Sequence, residues 1–439
     1  MKNKAYLFPI FLQNVIISIY GAKLYFERYT GKYKLYKKKY LKRLLGISKY
    51  DLNNQEKELT EFLSKISDKN TYYKKKGVHL NKYDLLTKEV LRNNINFISQ
   101  KKGIKSNTGG TTGKSLEVFF TKDDFRKRMA YLDAFKEWHG VNLGMKAARF
   151  SGKKLIQDNY NGKVFWRTNW IIKQRLYSTF HMSKDNLIYY VDNLNKFKPK
   201  SLDGFITNIY EIAKFIEKNK IKLEFTPIAI FPTAETVLPH HRELVERVFG
   251  CPVRDQYASS EGAPFIVECP KGKLHYCIDT GVIEIVGNDP MKGEIAVTSF
   301  TTHGTPLIRY LIGDVIEFSN EKCSCGCNYP IVKEIIGRNT DYLFSKERGI
   351  IHAANMSNVI KYLPNAIINI QFIQKSEDVI DINVVFDKEK YKPEYDKSIL
   401  YEMNNRLGNN IKLNIFKVNE IKREKSGKYR FIINNSNNA

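Results

Sequence analysis

Ten consecutive residues, Ser106-Asn107-Thr108-Gly109-Gly110-Thr111-Thr112-Gly113-Lys114-Ser115, concentrate glycine, hydroxyl groups and lysine. Three glycines let backbone N–H groups turn inward and approach an anion closely, the hydroxyls add donors, and Lys114 adds charge. This composition suits a phosphate cradle. It is not a Walker A loop, because that motif needs a glycine five positions before Gly113, where this chain has Thr108. Taken alone, the stretch also reads as a flexible turn between strands.

Further segments follow in order: Thr233-Ala234-Glu235, Tyr257-Ala258-Ser259-Ser260-Glu261, Pro306-Leu307-Ile308-Arg309-Tyr310-Leu311-Ile312-Gly313-Asp314, Gly337-Arg338-Asn339-Thr340-Asp341 and Lys425-Ser426-Gly427-Lys428. Each by itself reads as an ordinary strand end, turn or basic tail. Their joint order over residues 106–430 resembles the adenylate-forming ligases, the superfamily of acyl-CoA synthetases, firefly luciferase and nonribosomal adenylation domains. Within it the chain is most similar to the phenylacetate-CoA ligase-like branch that includes capsular polysaccharide biosynthesis proteins of the CapK type.

The resemblance implies roles residue by residue. Ser106, Thr108, Gly109, Gly110, Thr111, Thr112, Gly113 and Lys114 would cradle the phosphates of ATP, with Thr111 also serving catalysis. Glu235 would border the adenine, Tyr257 would stack on it, and Ser260 would approach the phosphate or carboxylate. Glu261 would help hold Mg²⁺, a fitting task for a hard oxygen ligand beside polyphosphate. Asp314 would accept hydrogen bonds from both ribose hydroxyls, as a fixed carboxylate can. Arg338 would contact the nucleotide, and Lys428 would stabilise the charge that develops as a carboxylate attacks the α-phosphate. The chain also departs from the pattern. Thr233 replaces the first glycine of Gly-Ala-Glu, Asn339 replaces the usual first hinge residue, and His303-Gly304 has no assigned role.

Six cysteines in 439 residues do not make a disulfide framework, which fits a reducing cytoplasm. Cys323-Ser324-Cys325-Gly326-Cys327, with Cys269, His275 and Cys277 upstream, supplies enough thiolate and imidazole for a tetrahedral Zn²⁺ site. The branch resemblance points to Cys269, His275, Cys323 and Cys325 as the quartet. Free thiols are the alternative, because Cys-x-Cys is tighter than the usual ligand spacing.

The elements that must position these groups follow from periodicity. Helices are expected over 31–45, 50–66, 81–98 and 123–137, the last capped by Thr121. Strands at 223–231 and 253–257 flank a helix at 239–249, which is βαβ alternation. Closely spaced strands and turns over 280–318 indicate a β-rich subdomain. Beyond 338 the pattern restarts, with strands at 368–373, 379–386 and 413–418 around a helix at 393–407. The apolar run 5–22 imitates a signal peptide, but Pro9, Gln13 and Asn14 interrupt it. It reads as an amphipathic or buried helix, with interfacial membrane contact left open. Trp138, His139 and residues 189–205 fall by position near an acyl pocket, although buried aromatics are more often packing residues.

The hydrophobic share of 42% excludes a mainly disordered chain. Lys and Arg number 72 against 46 Asp and Glu, a formal net charge of +26 that attracts anions. No nucleic-acid-binding module is present, so no specific nucleic-acid partner is expected. The fold expected is α/β: a large multi-sheet N-terminal domain, 1–337, with a β-rich subdomain, a hinge at 338–342, and a small, mobile α+β C-terminal domain, 343–439. The resemblance implies ATP-dependent adenylation of a carboxylic acid with release of pyrophosphate. Acyl transfer follows, in most relatives to the thiol of coenzyme A. Two alternatives stay open: transfer to an amine or hydroxyl of a surface-polysaccharide sugar, and a decayed, zinc-containing basic binding protein. Relatives commonly dimerise, so a homodimer is also open.

Overall fold

The computed structural model describes residues 7–107, 117–335 apart from 154, 158, 184, 236 and 238, then 342–352, 356, 366–386, 390–419, 421 and 432–436. The chain opens with α1 (Ile10–Tyr29), α2 (Tyr33–Leu44) and α3 (Leu52–Lys69), then the short α4 (Lys88–Asn93) and α5 (Ile95–Ile98). Strands β1 (Ile104–Asn107) and β2 (Glu117–Phe120) form an antiparallel pair on either side of the glycine-rich loop. Helix α6 (Lys122–Trp138) starts one residue after Thr121. Its N-terminus is closed by a capping box: the Thr121 hydroxyl accepts from the Asp124 N–H, and Asp124 accepts from the Thr121 N–H.

A five-stranded sheet comes next. It is built from β3 (Ala147–Ser151), β4 (Trp166–Asn169), β5 (Gln174–Ser178), β6 (Ser201–Gly204) and β7 (Ala229–Pro232), in the order β4-β5-β3-β6-β7. All neighbours are parallel except the edge strand β4. Helices α7 (Leu187–Phe197), α8 (Ile206–Lys218) and α9 (Pro239–Phe249) connect and cover it. Tyr190, Leu194, Ile209, Ile212 and Val245 are buried against it, as expected where crossover helices close both faces of a parallel sheet.

A seven-stranded antiparallel sheet follows: β8 (Gln256–Tyr257), β9 (Ile266–Glu268), β10 (Leu274–Tyr276), β11 (Gly281–Val286), β12 (Lys292–Ser299), β13 (Tyr310–Ser319) and β14 (Ile331–Ile335). Its order is β11-β12-β13-β14-β10-β9-β8. The C-terminal unit pairs β15 (Tyr342–Ser345) with β16 (Gly349–His352). It then sets β17 (Ile367–Ser376), β18 (Val379–Phe386), β19 (Lys412–Lys417) and β20 (Ile432–Asn434) in the order β19-β18-β17-β20, with α10 (Glu394–Leu407) packed on them. Its core, including Phe372, Ile382, Met403 and Leu407, is separate from those of the two larger sheets.

Several expected boundaries shift. The helix expected over 81–98 is instead a 3₁₀ turn at Leu80–Lys82 followed by α4 and α5, because Thr87 caps a new start and Asn94 ends it. The strand expected at 223–231 survives only as β7; Pro227 lacks the N–H that a continuing ladder needs. Of 253–257, only Gln256 and Tyr257 form a strand, while Val253 makes a single parallel bridge to Ile230. No helix among the described residues is long and apolar enough to cross a membrane.

His303, unassigned from sequence, takes a structural role. Its backbone N–H and Nδ1–H donate to the two oxygens of Asp124, at 3.0 and 2.6 Å. Beside it, Thr305 Oγ1 accepts from Phe119 N–H at 2.9 Å, so the 302–305 loop fastens the β1–β2 pair to the N-terminus of α6. Burial opposes the charged form of Asp124, but His303 and the cap donors outweigh it and hold the carboxyl below its usual range. Such a group stabilises the fold fully above its unfolded value of about 3.9 and ceases to do so as pH falls through its folded value. Asp124→Asn should therefore cost about 1–3 kcal/mol at pH 7. The gap to wild type in urea midpoints should narrow below about pH 4.

Candidate nucleotide site and metal centre

Residues far apart in sequence meet at the end of the antiparallel sheet. Tyr257 ends β8 and its hydroxyl donates to Asp314 Oδ2 on β13 at 2.8 Å. Three strands lie between β8 and β13, so in a flat sheet the two would stand at least about 19 Å apart. The sheet curls back on itself to close this gap, as twisted sheets do. Asp314 is also displaced from a regular ladder. Ala296 pairs with Leu311 and Glu294 with Val315, so residues 312–314 stand opposite Ile295 alone. Such a bulge re-aims side chains.

The loop after Tyr257 is fixed from both sides. Ser106 Oγ, at the end of β1, donates to Ser260 O at 3.0 Å, which ties the strand entering the glycine-rich loop to the Ser260-Glu261 turn. Ser259 Oγ accepts from the Gly262 and Ala263 N–H groups at 3.1 and 3.0 Å. Gly262 has φ of +102°, and a Cβ there would lie 2.7 Å from Thr302 Cγ2 and 2.9 Å from the Phe120 ring. Only glycine fits. Ser260 is exposed and Glu261 half-buried, so both remain accessible to a ligand.

Arg128 supports this turn from below and escaped the sequence reading. Its guanidinium lies between the Phe120 and Phe265 rings, and Nη1 donates to Gly262 O, Ala263 O and Thr301 Oγ1 at 3.0–3.1 Å. Burial lowers its pKa to about 10, against the opposing pull of Asp124, Tyr40 and Glu261, so the cation persists at neutral pH. A lone arginine on a helix carries no local signal of such a task. Arg309, inside the Arg-Tyr-x-x-Gly-Asp segment, is also structural: it holds a left-handed φ of +50°, pairs with Glu284 at 3.1 Å and donates to Tyr83 O.

Glu235 is buried just after β7, beside β8: Gln256 Nε2 donates to Pro232 O at 3.2 Å. Thr108, Gly109, Gly110, Thr111, Thr112, Gly113, Lys114, Arg338 and Lys428 lie outside the described residues. The aromatic candidates for an acyl pocket belong to the cores instead. His139 Nε2–H donates to Glu268 O at 2.8 Å, and burial lowers its pKa to about 4; Trp138 packs partly buried beside it. Tyr190, Val191, Leu194 and Phe197 are buried under the parallel sheet.

The ligand atoms of Cys269, His275, Cys323 and Cys325 all lie within 4.8 Å of one another. Cys269 opens the turn between β9 and β10, His275 sits on β10, and the two other cysteines come from the turn between β13 and β14. Cys269 Sγ and Cys323 Sγ are 3.7 Å apart, and Cys325 Sγ is 3.4 Å from His275 Nε2. A tetrahedral zinc with ordinary bond lengths spaces sulfurs about 3.8 Å apart and sulfur from nitrogen about 3.6 Å. His275 Nδ1 is 2.9 Å from Tyr329 O, a partner that requires a proton on Nδ1 and turns the Nε2 lone pair toward the cysteines. The donor set and its spacing fit Zn²⁺. Cys277 and Cys327 stay outside, buried in the core.

The comparisons with known proteins agree with this architecture. The chain is 41% identical to protein CapK of Staphylococcus aureus over 97% of its own length and 98% of the relative's. It belongs to the CapK family. The model of the CapK C-terminal domain matches residues 343–435. A phenylacetate-coenzyme A ligase of Thermus thermophilus is 26% identical over 178 residues, 38% of this chain and 39% of that one. Among solved structures, 2-hydroxyisobutyryl-CoA ligase with its acyl-AMP and CoA in the thioesterification state is similar with a TM-score of 0.54 at 16% identity, covering 94% of this chain and 92% of that one. The same ligase in the postadenylation state gives 0.50 at 15% identity, covering 91% and 89%. The CapK-family chain thus has the adenylate-forming ligase fold, a large mixed α/β region followed by a smaller unit.

Purified CapK-family chain should carry about one zinc per molecule by elemental analysis. Cys269→Ser with Cys323→Ser should remove it and lower the melting temperature by roughly 5 °C or more, whereas Cys251→Ala should keep the metal. Full-length protein that is stable and metal-free after expression in zinc-supplemented medium would contradict the site.

Proposed function

We propose that this protein is an AMP-forming ligase that activates a carboxylic acid with ATP and passes the acyl group on, to coenzyme A as first choice. The observation that carries this reading is the convergence of Ser106, the Tyr257–Glu261 turn and Asp314 at one edge of the curled sheet. Membership of a family with the adenylate-forming fold supports it.

In this reading the carboxylate oxygen attacks the α-phosphorus of ATP, the bond to the β-phosphate oxygen breaks, and pyrophosphate leaves with the electron pair. The acid becomes a mixed anhydride with AMP, a good leaving group. The thiol of coenzyme A then attacks the acyl carbon, giving a thioester, AMP and a proton. Tyr257 would present its ring to the adenine while its hydroxyl donates to Asp314, and the Asp314 carboxylate would accept from the ribose hydroxyls. Glu261 would hold Mg²⁺ beside the phosphates. By the roles the resemblance implies, Thr111, Thr112 and Lys114 would surround the phosphates, Arg338 would contact the nucleotide from a hinge at 338–342, and Lys428 of the 343–439 domain would stabilise charge at the reacting phosphate. Cys269, His275, Cys323 and Cys325 would hold Zn²⁺ in a structural role, fastening the two turns of the same antiparallel sheet.

The test is pyrophosphate release from Mg²⁺·ATP across aryl, fatty, amino and sugar acids, with and without coenzyme A. Release that depends on one acid class and rises with coenzyme A is expected. Lys428→Ala should slow adenylation about 100-fold or more while nucleotide binding persists. Acid-dependent release indifferent to coenzyme A would overturn the thioester step, and no release with any acid would overturn adenylation.

A further inference from the structure

Helix α1 is mounted inside out. Its inward stripe is polar apart from Ile17: Gln13 Oε1 accepts from buried Arg167 Nε at 2.7 Å, Asn14 Oδ1 accepts from Thr168 N–H at 2.9 Å, and Ser18 Oγ accepts from Trp170 N–H at 3.0 Å. Gly21 completes the stripe, lying so close to Asn169 that a Cβ would meet its amide at 2.1 Å. These contacts satisfy β4, the edge strand of the parallel sheet, whose outward N–H groups would otherwise lie open to any passing strand.

The apolar side of the helix therefore faces out. At 3.6 residues per turn, Leu12, Ile19 and Phe26 fall within about 40° of one another around the axis. Their exposures are 43, 66 and 66%, and Phe8, just before the helix, is 48% exposed. Phe11, 65% exposed, lies with its ring centroid 5.7 Å from that of Trp170, and Trp170 and Ile171 are themselves about half exposed in the turn after β4. So large a patch of exposed apolar and aromatic groups marks an interaction surface.

Its surroundings select the partner. Between residues 7 and 45 there are seven lysines, two arginines and one acidic residue, Glu27. Lys23 is exposed within the apolar face itself, Lys173 beside Trp170-Ile171, and Lys32, Lys34 and Lys38 along the next helix. A second copy docked face to face would bring like charges together. An anionic bilayer instead accepts aromatic and aliphatic side chains below its headgroups while lysines reach the lipid phosphates. The inner face is pinned to β4 along the helix, so α1 lies flat rather than spanning.

We propose that the outward face of α1, with the Trp170-Ile171 turn, docks this protein on an anionic membrane surface. This rests on none of the catalytic assignments. The test is co-sedimentation of the full chain with vesicles of phosphatidylcholine containing about one third phosphatidylglycerol, against pure phosphatidylcholine, at low and high salt. Wild type should bind the anionic vesicles and be released by salt. Phe11→Ser, Ile19→Ser and Phe26→Ser together should weaken binding at least tenfold with an unchanged circular dichroism spectrum. Lys23→Glu with Lys173→Glu, which leaves the apolar face intact, should weaken it several-fold at low salt only. No binding of wild type at low salt, or binding that both variants retain in full, would overturn the proposal. So would a wild-type dimer, dissolved by the triple substitution, that does not bind vesicles, since the face would then belong to a second copy.

Discussion

The hydrogen bond from Tyr257 to Asp314 joins strands that the sheet order separates by three others, and the candidate nucleotide site depends on it. A flat sheet would leave the ring at 257 and the carboxylate at 314 about 19 Å apart, with three strands between them. Curling brings them within one hydrogen bond, and the bulge over 312–314 turns the carboxylate out of the ladder toward the ring. The third component arrives through Ser106, which couples the strand before the glycine-rich loop to the Ser260-Glu261 turn.

Supports placed away from the nucleotide keep this geometry in place. Arg128 holds the carbonyls behind Glu261, and the Asp124–His303 pair fastens the hairpin to α6. The Cys/His cluster pins the turn between β9 and β10 to that between β13 and β14. It therefore acts on the strand that leads toward Tyr257 and on the strand that carries Asp314. A buried charge pair, Arg43 with Asp279 at 2.8 Å, anchors the early helices to the start of the same sheet.

What the sequence made legible was local chemistry: the order of the short motifs, the Thr121 cap and the cysteine spacing. Those depend on residues close in the chain. What it hid depends on partners far away. Arg128 looks like any solvated helix arginine until the 262–263 carbonyls are placed beside it. His303 gains its role from an aspartate 179 residues away. The 5–22 run was readable as a helix but not by orientation, because an apolar stripe ordinarily faces inward. Here the unpaired edge of β4 claimed the polar side.

The central claim is that these converging residues form a nucleotide site, and the most direct measurement is calorimetric titration of AMP into wild type and Asp314→Ala. Loss of charge-assisted hydrogen bonds of about 1.5–3 kcal/mol should raise the Kd roughly tenfold or more. An Asp314→Ala protein that is folded and binds AMP as tightly as wild type would contradict the account.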